Sequence, residues 1–368
     1  MSRTSRRHFL RLAAAGGAAG ALGFAGHAQD PLTPPGTETG AEFINNETQA
    51  AIDRGLARLS RLQFDGAFGT PNSGASVGIT ALAALALMAG GHQPGRGRYG
   101  LNVSRAVDYV VGTANGPAPG FLAGDGGIGG MRYPGQHSWY GHGFGCLFLA
   151  EACGMIPDPA KQKTVRGVLE QAAGYSVRAQ NRDGGWRYEF QPQLADVSVT
   201  VAHMMALRAA KNAGVVVRKN VIDKGVEYIR GCQTHDGGYS YMKGNGPSGF
   251  ARSAAAVVGL YSAGIYEGQE ITRGLRYIQS FMPGRQYSTR DIPPGHYYYG
   301  QYYAALAMWT AGGDYWPLWF PAIRDELLAK SRQGNGRWID NQWGEAYATA
   351  MALIVLQLPN NYLPILQK

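Results

Sequence analysis

The residues that could do chemistry stand at the starts of apolar segments. Asp196 opens one of them, in Asp196-Val-Ser-Val-Thr200. An aspartate just ahead of an apolar run has two uses: it caps the free N–H groups of a helix, or it acts as a general acid. The first is the plainer, and Ser198 follows two residues on. His142 and Cys146 are four apart, which puts both on one helix face. A zinc site would need two more ligands, and no motif supplies them, so no metal is expected. A hydrogen-bonded core histidine beside a buried thiol is the simpler account. Tyr140, Arg252, Glu345 and Tyr347 hold comparable positions in other segments. The run His296-Tyr-Tyr-Tyr-Gly-Gln-Tyr-Tyr303 contributes Tyr297, Tyr299 and Tyr302. Tyrosine walls suit isoprenoid chains, carbocations through cation–π attraction, or sugar rings; they also simply fill a core. Arg252 with these tyrosines could serve a lyase acting on uronates. A hydrolase would need paired carboxylates about 5 to 10 Å apart, for which Asp196 and Glu345 are the few candidates.

What positions these residues is a repeat. Gln180-Asn-Arg-Asp-Gly-Gly-Trp186 is a polar helix end, a glycine turn and a large aromatic, and it is followed by the helix that Asp196 opens. Gln63-Phe-Asp-Gly-Ala-Phe68, Gly124-Asp-Gly-Gly-Ile128, Gln233-Thr-His-Asp-Gly-Gly-Tyr239 and Gln333-Gly-Asn-Gly-Arg-Trp338 say the same thing, with a degenerate case at 285–295. The spacing is that of helix-pair arrays. Trp186 and Trp338 are expected to plug the gaps between adjacent pairs. Each repeat offers two segments. Those at 47–63, 103–113, 163–180, 220–233, 270–281 and 321–333 are amphipathic and charged. Those at 76–89, 139–153, 197–213, 249–263, 298–311 and 345–358 are apolar nearly all round. A helix apolar on every face must be enclosed, whereas an amphipathic one meets water on one side. Six of each, with few strands, predict an all-α fold: an (α/α)6 toroid, six inner helices within six outer ones. An open solenoid would need caps at its ends.

The N-terminus, Ser5-Arg6-Arg7-His8-Phe9-Leu10 ahead of a mildly apolar Ala/Gly run, reads as a twin-arginine signal over 1–28, cut after Ala28. It predicts export of a folded chain by the twin-arginine machinery to the periplasm or outside. The run is too short and glycine-rich for a stable transmembrane span. A Pro- and Gly-rich leader follows at 29–46, then one domain at 47–359 and a short tail at 360–368. The formal charge of +9 drops by four when Arg3, Arg6, Arg7 and Arg11 leave with the signal. The remaining basic residues form no run with interleaved aromatics, so nucleic acid is not an expected partner. Of the three cysteines, Cys146 and Cys153 stand about 10 Å apart along one helix, beyond disulfide reach.

The Gln…Asp-Gly-Gly-Trp turn with the Asp-Val-x-x-Thr helix start resembles the repeats of squalene-hopene cyclases and protein prenyltransferase β-subunits. Over roughly 47–365 the chain looks like exported cyclase-like proteins of the prenyltransferase/squalene oxidase repeat type. Tyr140-Gly-His-Gly-Phe144, Gly184-Gly-Trp-Arg-Tyr188, Asp196-Val-Ser-Val-Thr200, Ala346-Tyr-Ala-Thr-Ala350 and Tyr362-Leu-Pro-Ile365 carry that likeness. It implies the toroid and a central cavity for an apolar ligand. The departures bear on activity. Cyclases place Asp-x-Asp-Asp at this helix start to protonate a polyene, and here only Asp196 of that cluster is acidic. A serine hydroxyl cannot replace the lost carboxyl as proton donor. The Asp-x-Cys pair and later His that hold zinc in prenyltransferases are missing, so no cofactor is expected. Gly231-Cys232-Gln233 lacks the Cys-Gly-Glu-Gln of complement-type thioester toroids.

The resemblance with its departures points to an exported toroid that binds, and in one version transforms, an isoprenoid or lipid in its central cavity. Asp196 and His142 are then the candidate catalytic groups. Tyr140, Trp186, Ser198, Arg252, Tyr297, Tyr299, Tyr302 and Tyr347 are the candidate ligand contacts. The alternatives are a carbohydrate-active toroid, lyase or hydrolase, and a non-catalytic protein-interaction toroid.

Overall fold

Alternation of amphipathic and apolar segments produces twelve α-helices in the computed structural model, counted among the residues it describes, 40–70, 74–115, 118–122, 136–288, 292–293 and 296–366. The amphipathic set is α1 (Asn46–Arg61), α3 (Gly100–Gly112), α5 (Pro159–Ala179), α7 (Lys219–Gly231), α9 (Gln269–Gln279) and α11 (Tyr315–Gln333). The apolar set is α2 (Val77–Ala89), α4 (Gln136–Cys153), α6 (Val197–Asn212), α8 (Phe250–Ser262), α10 (Tyr297–Ala311) and α12 (Gly344–Gln357). The apolar helices pack one on the next in chain order, and α12 returns to pack on α2, closing a ring. Each amphipathic helix lies outside, against the two inner helices that flank it in this order, with α1 bridging α12 and α2. The molecule is an (α/α)6 toroid. Two short antiparallel hairpins, β1 (Gly69–Thr70) with β2 (Gly74–Ala75) and β3 (Ser240–Met242) with β4 (Asn245–Ser248), sit in the turns that lead into inner helices.

In three repeats the turn glutamine does the same job. Gln180 Nε2 donates to Gly184 O in its own turn and to Val221 O on the next outer helix, at 2.8 and 2.9 Å. Gln63 bridges Gly66 O and Asn102 O in the same way, and Gln233 bridges Gly237 O and Glu270 O. In these three repeats one glutamine thus ties neighbouring outer helices, reaching from its own turn to a carbonyl in the first turn of the next outer helix. The aromatic after the turn is fixed from the other side. Trp186 N–H donates to Thr200 Oγ1 and Tyr239 N–H to Ser253 Oγ, each hydroxyl lying one turn inside an inner helix. Gly184 has φ +94, and a Cβ there would stand 2.2 Å from Lys224 O. Both the backbone conformation and the space exclude a side chain. Gly184→Ala is therefore expected to lower stability by well over about 1 kcal/mol, read as a shift in the urea midpoint. An unchanged midpoint would show that outer helices are not held at this spacing.

Three departures from the sequence reading have physical causes. Helix α11 begins at Tyr315 rather than at 321, with Pro321 inside it. Proline leaves one helical bond unmade, but the flanking turn is held because Trp316, Trp319 and Phe320 are buried. The end of the leader is part of the fold: Phe43, in a 3₁₀ turn at Gly40–Phe43, packs edge-on against Trp316 and Phe320. The tail is anchored too. Gln357 Nε2 donates to Ala86 O and Asn360 Nδ2 to Ala89 O, Leu363 is buried, and Ile365 N–H donates to Glu151 Oε2 at 3.3 Å. It crosses the end of the ring where inner helices finish, leaving a cavity of about 40 Å³ against α6, α8 and α10. The signal expected at 1–28 and the Gly124–Ile128 turn lie outside the described residues. Among the described residues no helix is long and apolar enough to cross a membrane.

Candidate functional site

Asp196 caps α6: its backbone is extended and its Oδ1 accepts the Val199 N–H at 2.8 Å. The residue is fully buried. Oδ2 accepts from the Tyr241 hydroxyl at 3.3 Å, and Tyr241 Oη lies 2.6 Å from Tyr188 Oη. Tyr188 follows the turn before α6 and Tyr241 belongs to β3, so two successive repeats meet at this carboxyl. Burial pushes the Asp196 carboxyl up to about 6, against the opposing pull of its hydrogen bonds and of Arg187. The phenols move the other way from acidity: burial, then the charge of Asp196, raises Tyr140 and Tyr188 well above the ordinary value. They stay neutral and can donate.

Around this carboxyl the inner helices and the turns before them gather a cup-like cluster of tyrosines, most of them partly exposed. Tyr140 on α4 packs its ring 6.4 Å from that of Tyr188. Tyr299 on α10 turns a buried hydroxyl toward Ser198 and Tyr303, though none lies in good hydrogen-bonding geometry. Tyr347 on α12 lies close enough to Tyr299 and Tyr303 to perturb and be perturbed by them. Tyr140, Tyr188, Tyr241 and Tyr299 remain partly exposed. The floor is aromatic. Phe144 of α4 and Tyr302 of α10 meet at 6.4 Å, and Tyr303 stands edge-on to Tyr302 at 4.8 Å. Because α4 and α10 face each other across the ring, these side chains close the axis below the cup. Chemically, the arrangement offers aromatic faces, neutral hydroxyl donors, and one acid reached through two phenols.

No protein-family model matches the sequence. Over 80 residues the chain is 36% identical to a probable squalene–hopene cyclase of Sinorhizobium fredii, a stretch that is 20% of this chain and 12% of that protein. In three dimensions it superposes on the type II terpene cyclase MstE of Scytonema with a TM-score of 0.57 at 15% identity, covering 87% of this chain and all of the other. A GH76 α-mannanase of Bacteroides thetaiotaomicron superposes with a TM-score of 0.59 at 11% identity, covering 88% and 98%. The fold is a terpenoid cyclase-like α/α toroid. At these identities the two structures speak for the fold alone, and α/α toroids of this shape include a terpene cyclase and a mannanase alike.

Within the toroid the sequence-derived candidates separate into two groups. Asp196, Ser198, Tyr140, Tyr299 and Tyr347 come together at the cup, with Tyr302 in its floor. The others face elsewhere. His142 Nδ1 accepts the Leu122 N–H at 3.0 Å, so its proton sits on Nε2 and is donated to Ser176 Oγ on the outer helix α5. Ser176 Oγ also touches His203 Nδ1 at 3.0 Å. Burial pushes His142 down to about 3 and keeps it neutral, away from the cup. Cys146 is buried and its thiol pushed up to about 12, which leaves it unreactive. Trp186 fills the wedge between α5 and α6: its Nε1 donates to Ser176 O and its ring stacks on His203 at 5.3 Å. Tyr297 bonds Glu326 and lies 4.2 Å beneath Lys330 Nζ, facing α11. Arg252 donates to Tyr239 O and Pro247 O and ties α8 to the second hairpin. Glu345 makes a two-point ion pair with Arg58 on α1, at 2.7 and 2.9 Å. Among the described residues no three His, Cys, Asp or Glu side chains gather as metal ligands.

Sequence reasoning did not single out Tyr188, Tyr241 and Arg187. A signal existed: Tyr188 and Tyr241 each stand two residues after the repeat aromatic, Trp186 and Tyr239.

Proposed function

We propose that this is an exported toroid whose cup receives an apolar isoprenoid or lipid chain, and that Asp196, acting through Tyr241 and Tyr188, is the proton donor and acceptor for any turnover there. One observation carries the reading: tyrosines from α4, α10, the turn before α6 and β3 converge on a single buried carboxyl with a raised pKa. Aromatic faces supply contact area for an apolar chain and attraction for positive charge developing on it. The closed aromatic floor supports a ligand lying in the cup rather than threading the ring. The twin-arginine signal supports export. The carbohydrate-hydrolase reading has less support, because Glu345, the second carboxylate it would use, is held outward by Arg58.

The test is mass spectrometry of organic extracts from mature protein purified out of its native periplasm. A stoichiometric isoprenoid or lipid is the expected result; an empty extract together with binding of mannan or polyuronates would overturn it. Asp196→Asn keeps an oxygen for the N-cap but removes the titrating proton. It is expected to retain the ligand and to abolish any conversion of it. Undiminished conversion would remove Asp196 from the chemistry.

A further inference from the structure

Arg187 is the charged cup residue that meets no carboxylate at ion-pair distance among the described residues, although it acts on Asp196 and Tyr241 from nearby. Its guanidinium lies over the rings of Tyr188 and Tyr241, 5.6 and 5.7 Å from their centroids. Its Nε is enclosed and has no hydrogen-bond partner. Arg58, Arg166, Arg230, Arg324 and Arg332 each meet a carboxylate at ion-pair distance, and Arg98 and Arg178 also lie over tyrosine rings, but of these arginines Arg187 alone has an enclosed Nε left unpaired. Arg252, near Tyr241 from the α8 side, also has no carboxylate partner and is engaged only with backbone carbonyls. The nearby carboxylate, Asp196, already has Oδ1 on its own helix and Oδ2 on Tyr241. A partly desolvated guanidinium with an enclosed, unpaired Nε and no carboxylate at ion-pair distance gains from a further acceptor, and its planar fork matches a phosphate or carboxylate.

We propose that the ligand of the cup is an anionic amphiphile, whose phosphate or carboxylate head seats on Arg187 while its apolar chain lies along Tyr140 and Tyr299. This rests on the reading of the cup as an isoprenoid or lipid site and adds the head group to it. The rings of Tyr188 and Tyr241 hold the guanidinium at the cup by cation–π attraction.

The experiment compares binding of geranylgeranyl phosphate, palmitate and the neutral geranylgeraniol to the mature protein, by calorimetry at two salt concentrations. The wild type should bind the phosphate at least about 10-fold more tightly than the alcohol, as charge-assisted hydrogen bonds imply. High salt should narrow that gap. Arg187→Met should bring phosphate affinity down to that of the alcohol and leave the alcohol unchanged; Arg187→Lys should keep part of the preference. Palmitate following the phosphate means the site reads charge; palmitate following the alcohol assigns it to phosphate. Equal wild-type affinity for phosphate and alcohol would overturn the anionic head while leaving the cup as an apolar site. Equal weakening of both by Arg187→Met would reduce Arg187 to a packing role. If none of the three binds, the isoprenoid reading of the cup fails and this inference with it. Should Arg187→Met not fold, the salt dependence and Arg187→Lys decide.

Discussion

Trp186→Ala is expected to cost about 3–5 kcal/mol, the range for emptying a buried large aromatic site. Trp186 has no exposed surface, stacks on His203 within 5° of parallel, and donates its indole N–H to Ser176 O. Removing it opens a void between α5 and α6 and strips one wall from the His142–Ser176–His203 group, whose members are all fully buried. The surrounding helices cannot collapse into the gap, since α6 is fixed by α4 and α8 on either side. Urea unfolding gives the measurement, with Trp186→Phe as the companion. Phenylalanine keeps most of the plug and loses the indole bond, so it should cost much less. A loss under about 1 kcal/mol for alanine would mean that the repeat aromatic is not a wedge.

The second large effect is a dependence on pH that opposing groups conceal. Glu151, 6% exposed, has its carboxyl pushed from 4.5 up to about 7 by burial. Between those values the unfolded chain has released this proton and the folded chain keeps it, so stability falls as pH rises. Asp196 acts in the same direction between 3.8 and about 6. His142 acts oppositely: burial takes it from 6.5 to about 3, so the unfolded chain gains a proton as pH falls through that window, and stability is lost towards acid. His203, also pushed down, adds to that. The opposed slopes offset one another between about pH 4.5 and 6. Glu151→Gln removes one side of the balance while still accepting the Ile365 N–H. It should be more stable than wild type by about 3 kcal/mol at pH 8, and nearly equal at pH 4. Urea midpoints at the two pH values decide; a variant no more stable at pH 8 would mean Glu151 is not held protonated in the fold.

The toroid was legible because its grammar is local. A glutamine, a glycine that must turn left-handed, an aromatic and an apolar helix recur close together, and six such units leave a ring as the way to cover both ends. What the glutamine does next was not legible: the second acceptor of Gln180, Val221 O, lies 41 residues on. The cup was legible in part. Asp196 announced itself as a cap by standing before an apolar run, but its other oxygen meets a tyrosine 45 residues away in a hairpin. His142 and Tyr140 share a helix and are two residues apart, which on a helix is about 200° of rotation. One faces the cup and the other an outer helix. Tyr297 and Tyr299 divide in the same way. Placing a residue at the start of an inner helix is within reach of sequence; choosing its side requires the neighbours.

Gln357 reaching Ala86 joins residues 271 apart, and with it α12 covers the flank of α2 that no earlier inner helix covers. During synthesis every other inner helix acquires its second neighbour soon after it emerges. Helix α2 has to wait for the whole chain, with an apolar side still bare. The seam of the ring is thus the place where the nascent protein stays open longest, and where a chaperone or a stray partner would find it.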